Sequence, residues 1–207
     1  MPLPRPLAVL LLMSVSCMGV RSEPVDPPGA ALVRDVLIPG PVQSCPAEVE
    51  PPGQDPATTS SLPGNYKFSA SEHFREDLSP RSAVKISWLG ATFRQRFVSR
   101  VEDAAVRATL QAFGMSRPAR AAEIAAALGD RRETGLGELW CLLARQPNGE
   151  SGLLLTTSVP NLFFIRDGGG VLWTVDALWG GAGWEIGASS IDGDRQWPAG
   201  VQAVGHS

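Results

Sequence analysis

The sequence predicts an α+β fold: three helices followed by a four- to five-stranded antiparallel β-meander, preceded by a signal peptide and a Pro-rich disordered arm. Three observations lead there. Apolar residues recur at helical spacing between Phe93 and Leu143. After Gly152 the period drops from about 3.6 residues to about 2. Glycines at Gly168, Gly169 and Gly170, and again at Gly180, Gly181 and Gly183, supply the positive-φ positions that short hairpin turns demand.

The first predicted helix lies in FRQRFVSRVEDAAVRATLQAFG, where Phe93, Phe97, Val101, Ala104, Ala108 and Ala112 share a face. Val98, Ala105 and Phe113 widen that face, Thr92 caps its start and Gly114 stops it. A second helix begins at Pro118, carries Ala121, Ile124, Ala125 and Leu128 as its apolar stripe, and ends at Gly129. Thr134 opens a third, with Leu136, Leu139, Trp140 and Leu143 facing inward. The alternating segments GLLLTTSV, NLFFIRD, VLWTVDALW and GWEIGASSI then read as successive strands, with VQAVG as a fifth. If helices cover one sheet face, Trp173, Val175, Trp184 and Ile186 form its core-facing row, and Asp176 points to solvent.

The N-terminal third is different. Residues 1–22 open with one positive charge (Arg5) ahead of a short apolar run and end in a small-residue exit, the layout of a secretory signal. A lipoprotein signal is the alternative, in which Cys17 becomes the acylated first residue. Ten prolines crowd residues 22–64, so residues 23–83 read as a flexible arm and transitional segment, and residues 84–207 as the small α+β domain. Within the arm, residues 30–39 are the one apolar stretch, a short strand or a docking peptide. Cleavage leaves Cys45 and Cys141, which could pair in an oxidising compartment and pin the arm to the domain. Two unrelated cysteines, with Cys141 buried in a helix, is the preferred reading.

Chemistry is scarcer. A net charge of −3 gives no argument for a polyanionic partner. The two histidines, His73 and His206, are far apart and no metal-ligand spacing occurs, so no metal and no cofactor is expected. The Asp192-Gly193-Asp194 step lacks the further oxygen ligands of a calcium loop. G-x-S-x-G and H-E-x-x-H are missing, and no spacing selects an acid–base pair among the carboxylates. The remaining candidates are Trp179 and Trp184, which flank a glycine-rich loop and would offer flat faces to a ligand or protein.

The segment RPARAAEIAAALGDRRETGLGELWCLLARQPNGESGLLL resembles a winged-helix DNA reader: an alanine-rich helix, a turn, another helix, then a hairpin. That resemblance implies a helix in the major groove. Here the helix carries Glu138, Leu139, Trp140 and Leu142, with Arg145 its only base, a surface unsuited to phosphates or guanine edges. The chain therefore reads as an exported, non-catalytic binding module on a tether, secreted, periplasmic or held at the cell envelope. Its expected partner is another protein or an envelope component, with no nucleic acid and with membrane contact only through a lipid on Cys17. The alternative is a small-molecule-binding or hydrolytic domain with Asp176 or Glu185 in a pocket between helices and sheet.

Overall fold

The computed structural model describes residues 36–45, 67–103 and 108–207; the predicted signal, Cys17 included, lies outside them. In chain order the elements are β1 (Leu37–Cys45), β2 (Lys67–Ser69), α1 (Ala70–His73), β3 (Ile86–Leu89), α2 (Ala91–Phe97), β4 (Val101–Asp103), β5 (Ala108–Met115), β6 (Ala119–Arg120), α3 (Ala121–Leu128), α4 (Leu136–Arg145), β7 (Asn161–Arg166), β8 (Leu172–Trp179), β9 (Trp184–Ser190), β10 (Gln196–Trp197) and β11 (Gln202–His206). Seven strands form one sheet in the order β1-β5-β11-β7-β8-β9-β3. It is mixed: β11 runs parallel to β7 and β3 parallel to β9, while the other pairs are antiparallel.

This architecture corrects the expected one. The protein is sheet-dominated, not three helices followed by a meander. Among the described residues of the first predicted helix, only those of α2, up to Phe97, are helical, and the chain continues through β4 and β5. The residues counted at helical spacing beyond Phe97 are mostly alanines, which favour a helix but are small enough to be accepted in a strand whose partners are fixed. In β5 the period is 2: Leu110 and Ala112 enter one core cluster, Phe113 and Met115 the other. Gly114, read as a helix stop, lies inside that strand. The predicted first strand, residues 152–159, contains no strand; β7, β8 and β9 do form from the next three alternating segments.

The predicted arm also contributes to the fold. β1 pairs with β5, Leu37 opposite Met115 and Cys45 opposite Ala108, with a bulge between Pro39 and Val42. Prolines are tolerated because β1 is an edge strand, where an absent N–H breaks no ladder on the outer side. Gly40 lets the bulge close on β5: a Cβ there would lie 3.1 Å from the Ala112 carbonyl oxygen. A disulfide joins Cys45 at the end of β1 to Cys141 on α4. Phe68 and Phe74, also in the predicted transitional segment, pack into the core around Trp140.

Both faces of the sheet's centre are covered. On one, Phe163, Ile165, Val175 and Trp184 pack against Leu139 and Leu143 of α4 and against Phe93 and Phe97 of α2. On the other, Leu162, Phe164 and Ala203 pack with Ile124 and Leu128 of α3 and with Trp197. Strand β7 is therefore buried on both sides, which is why Asn161–Ile165 reads as an almost unbroken apolar run. Helices on both faces, where the sequence suggested one, change the surroundings of every second residue on β8.

Candidate functional site

The C-terminal end of α2, the turn into β4 and the β7–β8 hairpin converge on an open cleft of 540 Å³ lined by Arg96, Ser99, Arg100, Arg166, Asp167 and the hairpin glycines. Each arginine is held by one carboxylate. Arg96 Nη1 lies 3.4 Å from Asp167 Oδ2, and its guanidinium sits 4.9 Å from the Trp173 ring centre. Arg166 donates from Nε to Glu133 (2.8 Å) and from Nη1 to the Gly170 carbonyl (2.7 Å). Arg100 Nη2 stands 3.4 Å from Glu102 Oε1. Glu102 Oε2 in turn accepts the Gly137 N–H in the first turn of α4, at 3.1 Å. Arg100 Nη1 is buried with no hydrogen-bond partner among the described residues, as is Glu102 Oε1.

Asp167 organises the hairpin. Its carboxylate accepts from the N–H groups of Gly169 (2.9 Å) and Val171 (3.0 Å) and from Trp173 Nε1 (3.1 Å). Burial pushes its pKa up; the Val171, Gly169 and Trp173 donors and the Arg96 charge outweigh that and hold it below the ordinary aspartate value. The carboxylate stays ionised, and the hairpin that presents Arg166 to the cleft is fixed. Guanidinium groups and glycine backbone at one open cavity can hold an anionic group.

The two tryptophans singled out from the sequence lie elsewhere. Trp184 is fully buried and donates from Nε1 to the Gln146 carbonyl at 2.9 Å, so it offers no face to a ligand. The reason is its register opposite Trp179 on β8 and beside Ile86 on β3, which turns it into the α4-side core. Trp179 is half-buried, 5.5 Å from Trp184, and covers Gly149, where a Cβ would come within 2.2 Å of the indole. The exposed tryptophan is Trp88 on the edge strand β3, at 49%.

Asp176 does not stand free in solvent. It shares the α3-side face with the buried Thr174, and its oxygens would lie 2.9 and 3.0 Å from a Cβ on Gly187, its cross-strand partner. Burial raises its pKa above the ordinary value; the Arg195 charge and the residue's own backbone N–H oppose this and do not prevail. The native chain thus holds this proton more tightly than the unfolded chain. Stability falls as pH rises from the ordinary aspartate pKa to the raised one, and the penalty is fully present above it. Asp176→Asn, which keeps the shape and removes the charge, is expected to melt higher than the parent near neutral pH and to lose this acid-side gain. A lower melting temperature at neutral pH would contradict this assignment, and thermal melts across the acid range read it directly.

Among the described residues no cluster of three or more His, Cys, Asp or Glu side chains could hold a metal ion, and no helix is long and apolar enough to cross a membrane. The Asp192–Asp194 turn is partnered only loosely, by Arg120 at 3.6 Å from Asp194. Compared with known proteins, the chain matches no family model, no curated protein and no solved structure. The cleft itself was beyond sequence reasoning: Arg96 and Arg100 lie about seventy residues from Arg166 and meet only through the sheet order. The single available signal was the RDGGG turn, legible as a hairpin but not as one wall of a cavity.

Proposed function

We propose that this protein is an exported, non-catalytic binding module, carried behind a signal segment and recognising another protein or an envelope component. The observation that carries this reading is the Cys45–Cys141 disulfide, which ties an edge strand to the core helix α4. Such bonds persist in secreted and periplasmic proteins and are rare where thiols are kept reduced. It agrees with the signal-like layout of residues 1–22. The arginine-lined cleft supports recognition as the task, since its groups are suited to holding a charged ligand rather than to moving protons. Fractionation of cells expressing the tagged chain tests the reading. The mature protein is expected in the periplasm, envelope or medium, beginning near Glu23 or at an acylated Cys17. Full-length protein with Met1 intact in the cytoplasm would overturn it.

A second reading, a small-molecule or hydrolytic site at Asp176, is favoured by one observation: a half-buried carboxylate with a raised pKa opposite a glycine. Under that reading Asp176→Asn gains stability and loses ligand binding together.

A further inference from the structure

The geometry points to the cleft between α2 and the β7–β8 hairpin as a binding site for an oxyanion, a phosphate, sulfate or carboxylate group, with Arg100 as its anchor. This deepens the binding-module reading and rests on it. Three guanidinium groups line one cavity, and the carboxylates that accompany them engage only part of their hydrogen-bonding capacity. Arg166 spends Nε on Glu133 and Nη1 on Gly170, which fixes its plane and leaves Nη2 for a ligand. Arg96 is positioned by Asp167 and by the Trp173 ring. These partners orient the arginines in advance, so a bound anion does not have to order three long side chains.

Arg100 supplies the most specific indication. Its backbone is fixed at both ends: the N–H donates to Phe97 and the carbonyl accepts from Ala70. Glu102 holds Nη2 and is itself anchored on the first turn of α4. Nη1 and the Glu102 Oε1 atom of the same ion pair are both buried without a hydrogen-bond partner among the described residues, so Glu102 alone leaves this guanidinium short of acceptors. An oxyanion has several acceptor oxygens and matches the fork of a guanidinium, so in the cleft it meets the partly exposed face of Arg100 beside the Glu102 contact. The opposite wall suits such a ligand. Gly168 is exposed, and a Cβ there would meet nothing within 4 Å, so the hairpin leaves the approach open.

Titration calorimetry and thermal melts of the mature protein with inorganic phosphate, sulfate and citrate test the site, each against sodium chloride of matched ionic strength. The three arms separate phosphoryl, sulfuryl and carboxylate sources of the same chemistry. At saturating concentration at least one anion is expected to raise the melting temperature by roughly 3 °C or more over chloride. Arg100→Gln is expected to weaken that binding by about tenfold or more, the loss of one charge-assisted hydrogen bond. Arg94→Gln, outside the cleft, is expected to leave it unchanged. Should Arg100→Gln fail to fold, Gly168→Asp places a carboxylate at the mouth without touching any arginine, and it too is expected to weaken the anion. The proposal is overturned if no anion exceeds chloride, or if a folded Arg100→Gln or Gly168→Asp variant binds as the parent does. An exported protein that binds no anion refutes the cleft assignment alone; a cytoplasmic protein that binds one refutes export alone.

Discussion

Replacing Cys45 and Cys141 together by alanine lowers the stability of the protein by about 4 kcal/mol, a drop of roughly 10 °C in melting temperature. The bond closes a sequence separation of 96 residues, so the unfolded chain gains a large amount of loop freedom when it is lost. The folded state is affected less evenly. β1 is an edge strand, interrupted by Pro39 and Pro41, with Ile38 and Val42 exposed. It adds little apolar area of its own beyond Val36 and Cys45. Without the bond it depends on the β5 ladder, the Gln111 side chain on the Gly40 carbonyl, and Arg145 on the Ser44 carbonyl. The double variant is therefore expected to lose amide exchange protection first in residues 37–45, while β7 and β8 keep theirs. Equal melting temperatures for the parent and the double variant would show that the bond contributes nothing to the fold.

Trp184→Ala costs about 3–5 kcal/mol, the range for truncating a fully buried large aromatic. The ring is completely enclosed between β3, β8 and α4, and its indole N–H is satisfied by Gln146. That glutamine is itself a junction: its side-chain amide donates to the Glu150 and Leu154 carbonyls and accepts the Leu154 N–H. Removing Trp184 opens a cavity beside the segment that Gln146 organises. Trp184→Phe keeps most of the volume and loses chiefly the hydrogen bond, so about 1 kcal/mol is expected. Trp179→Ala, on a half-buried ring, falls between the two. Denaturant unfolding of the three variants sets this order. A Trp184→Ala protein as stable as the parent would instead mean that the ring faces out, as a binding surface requires.

The same tryptophan shows how far the sequence could be read. The short apolar run of β7 and the alternation along β8 and β9, each bounded by glycine-rich turns, located these three strands in the sequence. Helices α3 and α4 were legible for the same reason at the other period, with Ile124 and Leu128, then Leu139 and Leu143, facing inward. What failed was the stretch after Phe97. Alanine locally favours a helix, so Ala108 and Ala112 point away from a strand, and β5 is imposed by partners on both sides, β1 and β11. β1 overlaps the short strand offered for residues 30–39 only at Leu37–Pro39, and its continuation past Pro39 and Pro41 to Cys45 is possible because the strand is an edge. The fate of Asp176 depended on a second covered face, which comes from α3 and Trp197 and cannot be counted from strand parity alone. The arginine cleft is a product of sheet order, and its one trace in the sequence is the RDGGG turn.

Trapping the thiol state inside living cells reads export and the Cys45–Cys141 bond together. Cells are quenched in acid, free thiols are alkylated, and the protein's intact mass is read with and without prior reduction. Two forms are compared: the full chain and a chain lacking residues 1–22. The full chain is expected outside the cytoplasm, processed, with Cys45 and Cys141 unreactive until reduced. The truncated chain, held in the cytoplasm, should carry both alkyl groups and be cleaved more readily by protease. Unprocessed full-length protein with both cysteines alkylated in the cytoplasm would contradict both.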